Sequence, residues 1–306
     1  MSCQMIISEK PQAALKIATA LADDKIEKKF YEKTVNYYVI KHNKKKIVVV
    51  PAVGHLYNLA EKDKKGWTYP VFDLIWKESH IISKESKFTK KYLDTIKKLC
   101  KECDEIIIAT DKDIEGELIG YNIVRFACNK NDAKRMEFST LIKEDLLKSY
   151  ENVKQHIDFP LAYSGETRHI LDHYFGINLS RALTLSIKHS INMFKILSTG
   201  RVQGPTLKVL YIREKEIEVF KSVPYWEIEL IGKTQNNEQL VAWHHEGRIW
   251  EEKKANSIIK KCNDKKALVM DVEVREFKQR PPFPFDLPSL QIEAYSALGL
   301  SPQKTL

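Results

Sequence analysis

The run Glu105-Ile106-Ile107-Ile108-Ala109 passes directly into Thr110-Asp111-Lys112-Asp113-Ile114-Glu115-Gly116-Glu117, and this junction restricts the fold more than any other part of the chain. An isoleucine-rich run of that length, bounded by charges, reads as a strand buried on both faces, the kind found inside a parallel sheet. The turn between it and the helix that follows carries alternating carboxylates, Asp111, Asp113 and Glu115. At the carboxyl end of a parallel strand such a turn faces the crevice where open α/β sheets bind ligands. Carboxylates crowded there repel one another unless a cation neutralises them, and hard oxygen donors suit Mg²⁺. The same spacing also fits a solvated acidic turn capping a helix N-terminus.

The remainder of the first 150 or so residues supports an α/β fold class, a parallel sheet with flanking helices. Met5 to Ser8 reads as a short buried strand, and Pro11 opens a helix from Gln12 to Ala22 with Ala14, Leu15, Ala18 and Leu21 at helical spacing. Glu9 and Lys10 therefore also stand at a strand end, where the Glu9 carboxylate can reach the same crevice as the acidic turn. Val35 to Ile40 and Ile47 to Val50 are strand-like around a basic turn, and Phe88 to Leu99 is helical. From about Leu161 to Phe220 the pattern is helical. From Tyr225 to Val274 it alternates, as in Trp226 to Leu230 and Ala267 to Met270. Pro281-Pro282-Phe283-Pro284 is a stiff linker before a helix from Pro288 to Leu298 closed by Gly299. Ser301-Pro302 then starts a helix of about one turn, too short to hold by itself, so the natural protein is expected to continue.

Fifty Lys and Arg against 41 Asp and Glu give a net charge of +9, an excess that favours a polyanionic partner. Between Arg181 and Lys215 the bases Arg181, Lys188, Lys195, Arg201, Lys208, Arg213 and Lys215 face the single acid Glu214, a local excess suited to a nucleic-acid backbone or to a merely solvated face. No apolar run spans a bilayer and no secretion signal is evident, so the protein is expected to be cytoplasmic. The five cysteines lack the spacing of a disulfide framework. Cys100-x-x-Cys103 needs a second ligand pair to read as zinc, and Cys128 and Cys262 stand alone, so partly buried thiols are expected.

Several of these blocks together resemble the type IA DNA topoisomerases, within them the archaeal and topoisomerase III-like branch. Ser8-Glu9-Lys10-Pro11 and Asp111-x-Asp113-x-Glu115 are similar to the two marks of that family's Toprim domain. Val53-Gly54-His55-Leu56, Arg168-x-x-Leu171-Asp172, Leu197-Ser198-Thr199-Gly200-Arg201-Val202-Gln203-Gly204-Pro205 and Ser289-Leu290-Gln291 are similar to further family segments, in family order. Ile114 stands where the family commonly has a basic residue.

The resemblance implies a Toprim domain over residues 1–155, a helical DNA-binding domain over 156–220, part of a β-rich arch over 221–279, and a return into the helical domain over 280–306. It implies metal binding by Asp111 and Asp113, with Glu9 and Glu115 as acid/base or metal-supporting groups and Mg²⁺ as the cofactor. Lys10, Arg168 and Arg201 would contact phosphate, with Lys188, Lys195 and Gln203 completing the DNA-binding set. The partner implied is single-stranded DNA, and the protein a monomer. The family's tyrosine nucleophile lies in an S/T-Y-x-R-T-like motif, and none of the 13 tyrosines here does. The chain is therefore expected to be the front part of such an enzyme, binding DNA without cutting it. A Toprim primase or nuclease and a non-catalytic basic DNA-binding module are the other readings. Singly, His55 could be an ordinary satisfied histidine and Asp172 a helix salt-bridge partner.

Overall fold

Both faces of the central strands are covered, which is why they read as unbroken apolar runs. In the computed structural model, which describes residues 3–31, 35–63 and 66–306, β1 (Cys3–Ser8) lies between β4 (Lys45–Pro51) and β7 (Glu105–Ala109), parallel to both. Side chains alternate across a strand. Met5, Ile7, Val48, Val50, Ile106 and Ile108 consequently enter one apolar core, and Ile6, Ile47, Val49 and Ile107 enter another on the opposite face. Helix α3 (Thr89–Glu102) closes the first core; α1 (Pro11–Leu21) and α5 (Lys143–Glu151) close the second. Each such side chain withdrawn from water contributes about 1.5–3 kcal/mol.

The sheet is mixed rather than purely parallel, which corrects the expectation. Its order is β2-β3-β4-β1-β7-β8, with β2 (Glu27–Tyr31) and β3 (Val35–His42) antiparallel at one edge and β8 (Lys134–Arg135) parallel at the other. The cause is the basic turn after His42: Asn43 and Lys44 take positive φ, 48° and 65°, the hairpin geometry that returns a chain antiparallel. The edge strand β2 is mostly exposed and charged, so no apolar period marked it, and its lysines suit a free edge.

A separate hairpin, β5 (Tyr57–Glu61) with β6 (Leu74–Glu78), leads through the short α2 (Ser79–Ile82) towards α3. Helix α4 (Ile114–Asn122) follows the acidic turn and packs on α6 (Phe159–Ile191), a single helix of 33 residues. The approach is close because Gly165 of α6 has no side chain: a Cβ there would stand 2.7 Å from the Ile114 carbonyl oxygen and 3.2 Å from its Cγ2. Ile114 thus serves a helix contact at the position where a basic residue was the family norm. Helix α7 (Gln203–Val219) completes this unit, Met1–Val219.

The second unit, Phe220–Leu306, holds the antiparallel pair β9 (Glu229–Lys233) and β10 (Gln239–Trp243), a bridge between Trp226 and Ile249, and α8 (Glu252–Cys262), α9 (Leu287–Leu298) and α10 (Pro302–Thr305). The strand expected at Trp226 to Leu230 begins three residues later, and Ala267 to Met270 forms none. Leu268, Val269 and Met270 are all strongly exposed; an alternating segment with no neighbour to pair with makes no ladder. Helix α9 ends where expected, with Gly299 left-handed at φ 66°.

Four cysteines that stand apart in sequence are brought together: Cys3 lies against Cys103, and Cys100 against Cys128. Parallel pairing of β1 with β7 sets Gln4 opposite Glu105, which carries the end of α3 to the start of β1. The Asp104 N–H donates to the Cys3 carbonyl at 2.9 Å, and the Cys3 N–H returns a bond to the Asp104 carboxylate at 3.1 Å.

Candidate active site at the strand ends

The carboxyl ends of β1, β4 and β7 meet, and each supplies part of the site. The amide of Val53, just past β4, donates to the Glu9 carbonyl at 2.8 Å, so Glu9 and the Val53-Gly54-His55 turn lie together. Val53 and Gly54 both have positive φ, 60° and 87°, a bend that directs His55 towards the acidic turn. Gly116 allows that turn to be tight: a Cβ there would stand 2.2 Å from the Asp111 carbonyl oxygen.

With like charges this close, each carboxylate takes a cationic or N–H partner. The Lys10 ammonium sits 2.8 Å from Asp111 Oδ2 and 3.3 Å from Glu9 Oε1, and those two acids raise the lysine pKa above its ordinary value. Asp113 caps α4, accepting the Gly116 N–H at 2.7 Å, so the capping role weighed for this turn is real. Glu115 Oε2 lies 3.0 Å from His55 Nε2 and 2.8 Å from His169 Nε2, and its Oε1 lies 3.6 Å from Arg168 Nη1. Burial pushes the Glu115 carboxyl up, but hydrogen bonds from His169 and His55 hold it below the usual range. Burial together with the neighbouring His169 lowers the His55 pKa.

The predicted metal set therefore divides. Glu9 and Asp111 converge on one ammonium group, Asp113 caps α4, and Glu115 turns to the histidines. Among the described residues, the group whose donor atoms gather within 4.8 Å is His55, Glu115 and His169. That nitrogen-rich trio suits borderline metals, whereas the Glu9, Asp111 and Asp113 oxygens suit a hard cation. The ammonium between Glu9 and Asp111 shows that a cation fits their spacing.

Beneath the turn lies a buried ion pair that sequence reasoning missed. Arg135, fully buried, donates from Nε to Glu117 Oε2 at 2.7 Å. Its remaining N–H groups bond the carbonyls of Ile108, Thr110, Asp111 and Met136. Glu117 in turn accepts the Asp158 N–H at 2.9 Å, where α6 begins. One guanidinium thus fixes the end of β7, the acidic turn and the start of α6. Nothing local in Lys134-Arg135-Met136 signals this; His169 had only its place inside the Arg168-x-x-Leu171-Asp172 block.

Along α6, Arg168 Nε lies 3.8 Å from Asp172 Oδ2, and Asp172 Oδ1 accepts from Arg201 Nε at 2.7 Å. The Arg201 guanidinium holds the Asp172 carboxyl below its usual range. Arg168 and Arg201 line an open cleft of about 710 Å³ with Tyr163, Ser164 and Thr167. Asp172 is a salt-bridge partner, as its plain reading held, and it orients both arginines. Lys188 is on the same helix 20 residues beyond Arg168, about 30 Å along the axis at 1.5 Å per residue, with its ammonium over the Phe194 ring at 5.9 Å. Lys195 is exposed in the segment after α6, and Gln203 is the first residue of α7. Neither Lys188 nor Lys195 joins the acidic cluster. Arg181 is not a surface cation: it is buried against Glu61 and donates to the Thr68 carbonyl at 2.7 Å. Arg213 and Lys215 pair with Glu216 and Glu218 at 2.9 and 2.6 Å, acids just past the counted window.

Comparison with known proteins agrees with this arrangement. Residues 4–141 match the Toprim domain family, and residues 156–306 match a family described as DNA topoisomerase. The chain belongs to the type IA DNA topoisomerases. It is 45% identical over 305 residues to DNA topoisomerase 1 of Pyrococcus furiosus, covering 99% of this chain and 28% of that protein. With DNA topoisomerase 1 of Methanocaldococcus jannaschii it shares 46% identity, covering 98% of this chain and 38% of the relative. The full-length topoisomerase I structure from Thermotoga maritima superimposes with a TM-score of 0.62 at 26% identity, over 98% of this chain and 44% of that one. The chain thus spans less than half the length of these topoisomerases.

Proposed function

We propose that this chain supplies the acidic, metal-assisted half of the active site of a topoisomerase that cleaves, passes and rejoins single DNA strands through a 5′-phosphotyrosine, without ATP. The observation that carries the reading is the convergence of Glu9 and Asp111 on Lys10 at adjacent strand ends, with Arg168 and Arg201, joined through Asp172, lining a cleft beside α6. The domain division that goes with it is Toprim over 1–155, helical over 156–220, part of the arch over 221–279, and a return into the helical domain over 280–306. Glu9, Asp111 and Asp113 are the residues that would hold Mg²⁺, which when bound supplies a positive charge to the transferring phosphate.

The roles of the chain's own groups follow from chemistry. Lys10, exposed at the strand end beside Glu9 and Asp111, is placed to donate to a phosphate oxygen. Arg168 and Arg201, preset by Asp172, hold the flanking backbone by charge-assisted hydrogen bonds. Glu9, as a carboxylate at the strand end, is placed to exchange a proton with the leaving 3′ oxygen. Attack by tyrosine forms a phosphotyrosine bond as the bond to the 3′ oxygen breaks, which conserves the energy needed for rejoining; with no tyrosine here in the nucleophile's motif, the chain by itself binds DNA without cutting it.

The test is incubation of the purified chain with end-labelled single-stranded DNA and Mg²⁺, followed by denaturing electrophoresis. Binding with neither cleavage nor attachment is the expected result. A covalent adduct would place the nucleophile within these residues, and cutting without attachment would make the protein a Toprim nuclease.

A further inference from the structure

We infer that Cys3, Cys100, Cys103 and Cys128 are the ligands of one structural zinc ion, set at the opposite end of the sheet from the acidic cluster. The tertiary structure provides the second ligand pair that Cys100-x-x-Cys103 lacks in sequence. Cys3 opens β1 and its Cα stands 4.6 Å from that of Cys103; Cys128, which ends the wound turn after α4, has its Cα 5.3 Å from that of Cys100. Cys100 stands in the last turn of α3, and Cys103 is the extended residue that caps it, its N–H bonded to the Leu99 carbonyl at 3.0 Å. Four sulfurs so placed are within reach of a tetrahedral ion with Zn–S bonds of about 2.3 Å.

The surroundings fit such a centre. Cys3 and Cys103 are buried, and Cys100 and Cys128 pack against the same apolar core, which excludes water from the ligands. A tetrathiolate zinc centre keeps net negative charge, and the Lys130 ammonium is beside it, donating to the Asp104 carbonyl at 2.9 Å. Two disulfides would fasten the same helix end twice, whereas C-x-x-C is the spacing from which a tetrahedral metal takes two ligands. The centre would join β1, the end of α3 and the turn after α4. It lies roughly 17 Å from the acidic turn, the rise of β1 at about 3.3 Å per residue, and so acts on stability rather than on the reaction.

The experiment uses the whole 306-residue chain, purified without chelator, and measures metal content by mass spectrometry and intact mass under denaturing, non-reducing conditions. Equimolar zinc, with a mass retaining every thiol hydrogen, is the expected result. Replacing zinc with Co²⁺ should give the visible bands of a tetrahedral thiolate complex. The C100S/C103S double variant should lose the zinc and melt at lower temperature, while C262S keeps both. A zinc-free chain whose mass lacks the hydrogens of two disulfides would overturn the inference, as would iron in place of zinc or zinc retained in C100S/C103S.

Discussion

At the scale of single residues, the most consequential side chain is one that touches no substrate. Arg135 satisfies carbonyls at the end of β7 and in the acidic turn while paired with Glu117, both buried. Removing one member of a buried pair strands the other charge, at a cost of about 3–5 kcal/mol, while replacing both by apolar groups costs far less. R135M should therefore lose about 3–5 kcal/mol in urea denaturation, and R135M/E117L should recover part of that loss. If the single and double variants are equally destabilised, the carbonyl contacts rather than the ion pair carry the effect. Arg135 was invisible in sequence because an arginine beside a lysine in a short polar stretch ordinarily faces water. Asp111, Asp113 and Glu9 were legible because their strand-end positions follow from local pattern alone.

At the scale of elements, the packing of α6 on α4 depends on Gly165. A methyl group there meets the Ile114 backbone at 2.7 Å, and overpacking of this kind costs about 1–3 kcal/mol. G165A should lower the melting temperature by several degrees, and a variant as stable as the parent would show that the helices part without cost. A second contact ties the segment after α5 to the acidic turn. Glu137 accepts Lys154 at 2.6 Å and Lys112 at 2.8 Å. Burial pushes its carboxyl up, yet the two ammonium groups hold it below the usual range. A carboxylate with depressed folded pKa stabilises fully above its unfolded value, about 4.3, and loses that contribution as pH falls through the folded value. The stability gap between the parent and E137Q should thus be largest near neutrality and shrink below about pH 4.3, as read by denaturation across pH; a pH-independent gap would sink the assignment. The strands β1, β4 and β7 were readable from their apolar runs, but β2 was not, since a charged edge strand carries no apolar period.

At the scale of the whole molecule, the net charge of +9 overstates the free cation available to a polyanion. Arg181 is internal, Arg213 and Lys215 have acidic neighbours, and Lys188 lies far along α6, whereas Arg168 and Arg201 line the cleft. If Arg201 neutralises a phosphate, R201A should weaken single-stranded DNA binding and reduce the slope of log K against log salt by about 0.7. An unchanged slope would remove Arg201 from the DNA contact.

Period and punctuation in the sequence determined the buried strands, the helix starts at Pro11 and the acidic turn, and the left-handed stop at Gly299, because each is set by neighbours within a few residues. The family-like blocks were recognisable for the same reason. Tertiary structure alone decided that the sheet is mixed, that Glu115 turns to His55 and His169, that Arg135 and Arg181 go inside, and that four cysteines from distant segments share one corner. Those outcomes depend on which strand ends and helix faces meet, and long-range contact leaves no trace in local spacing.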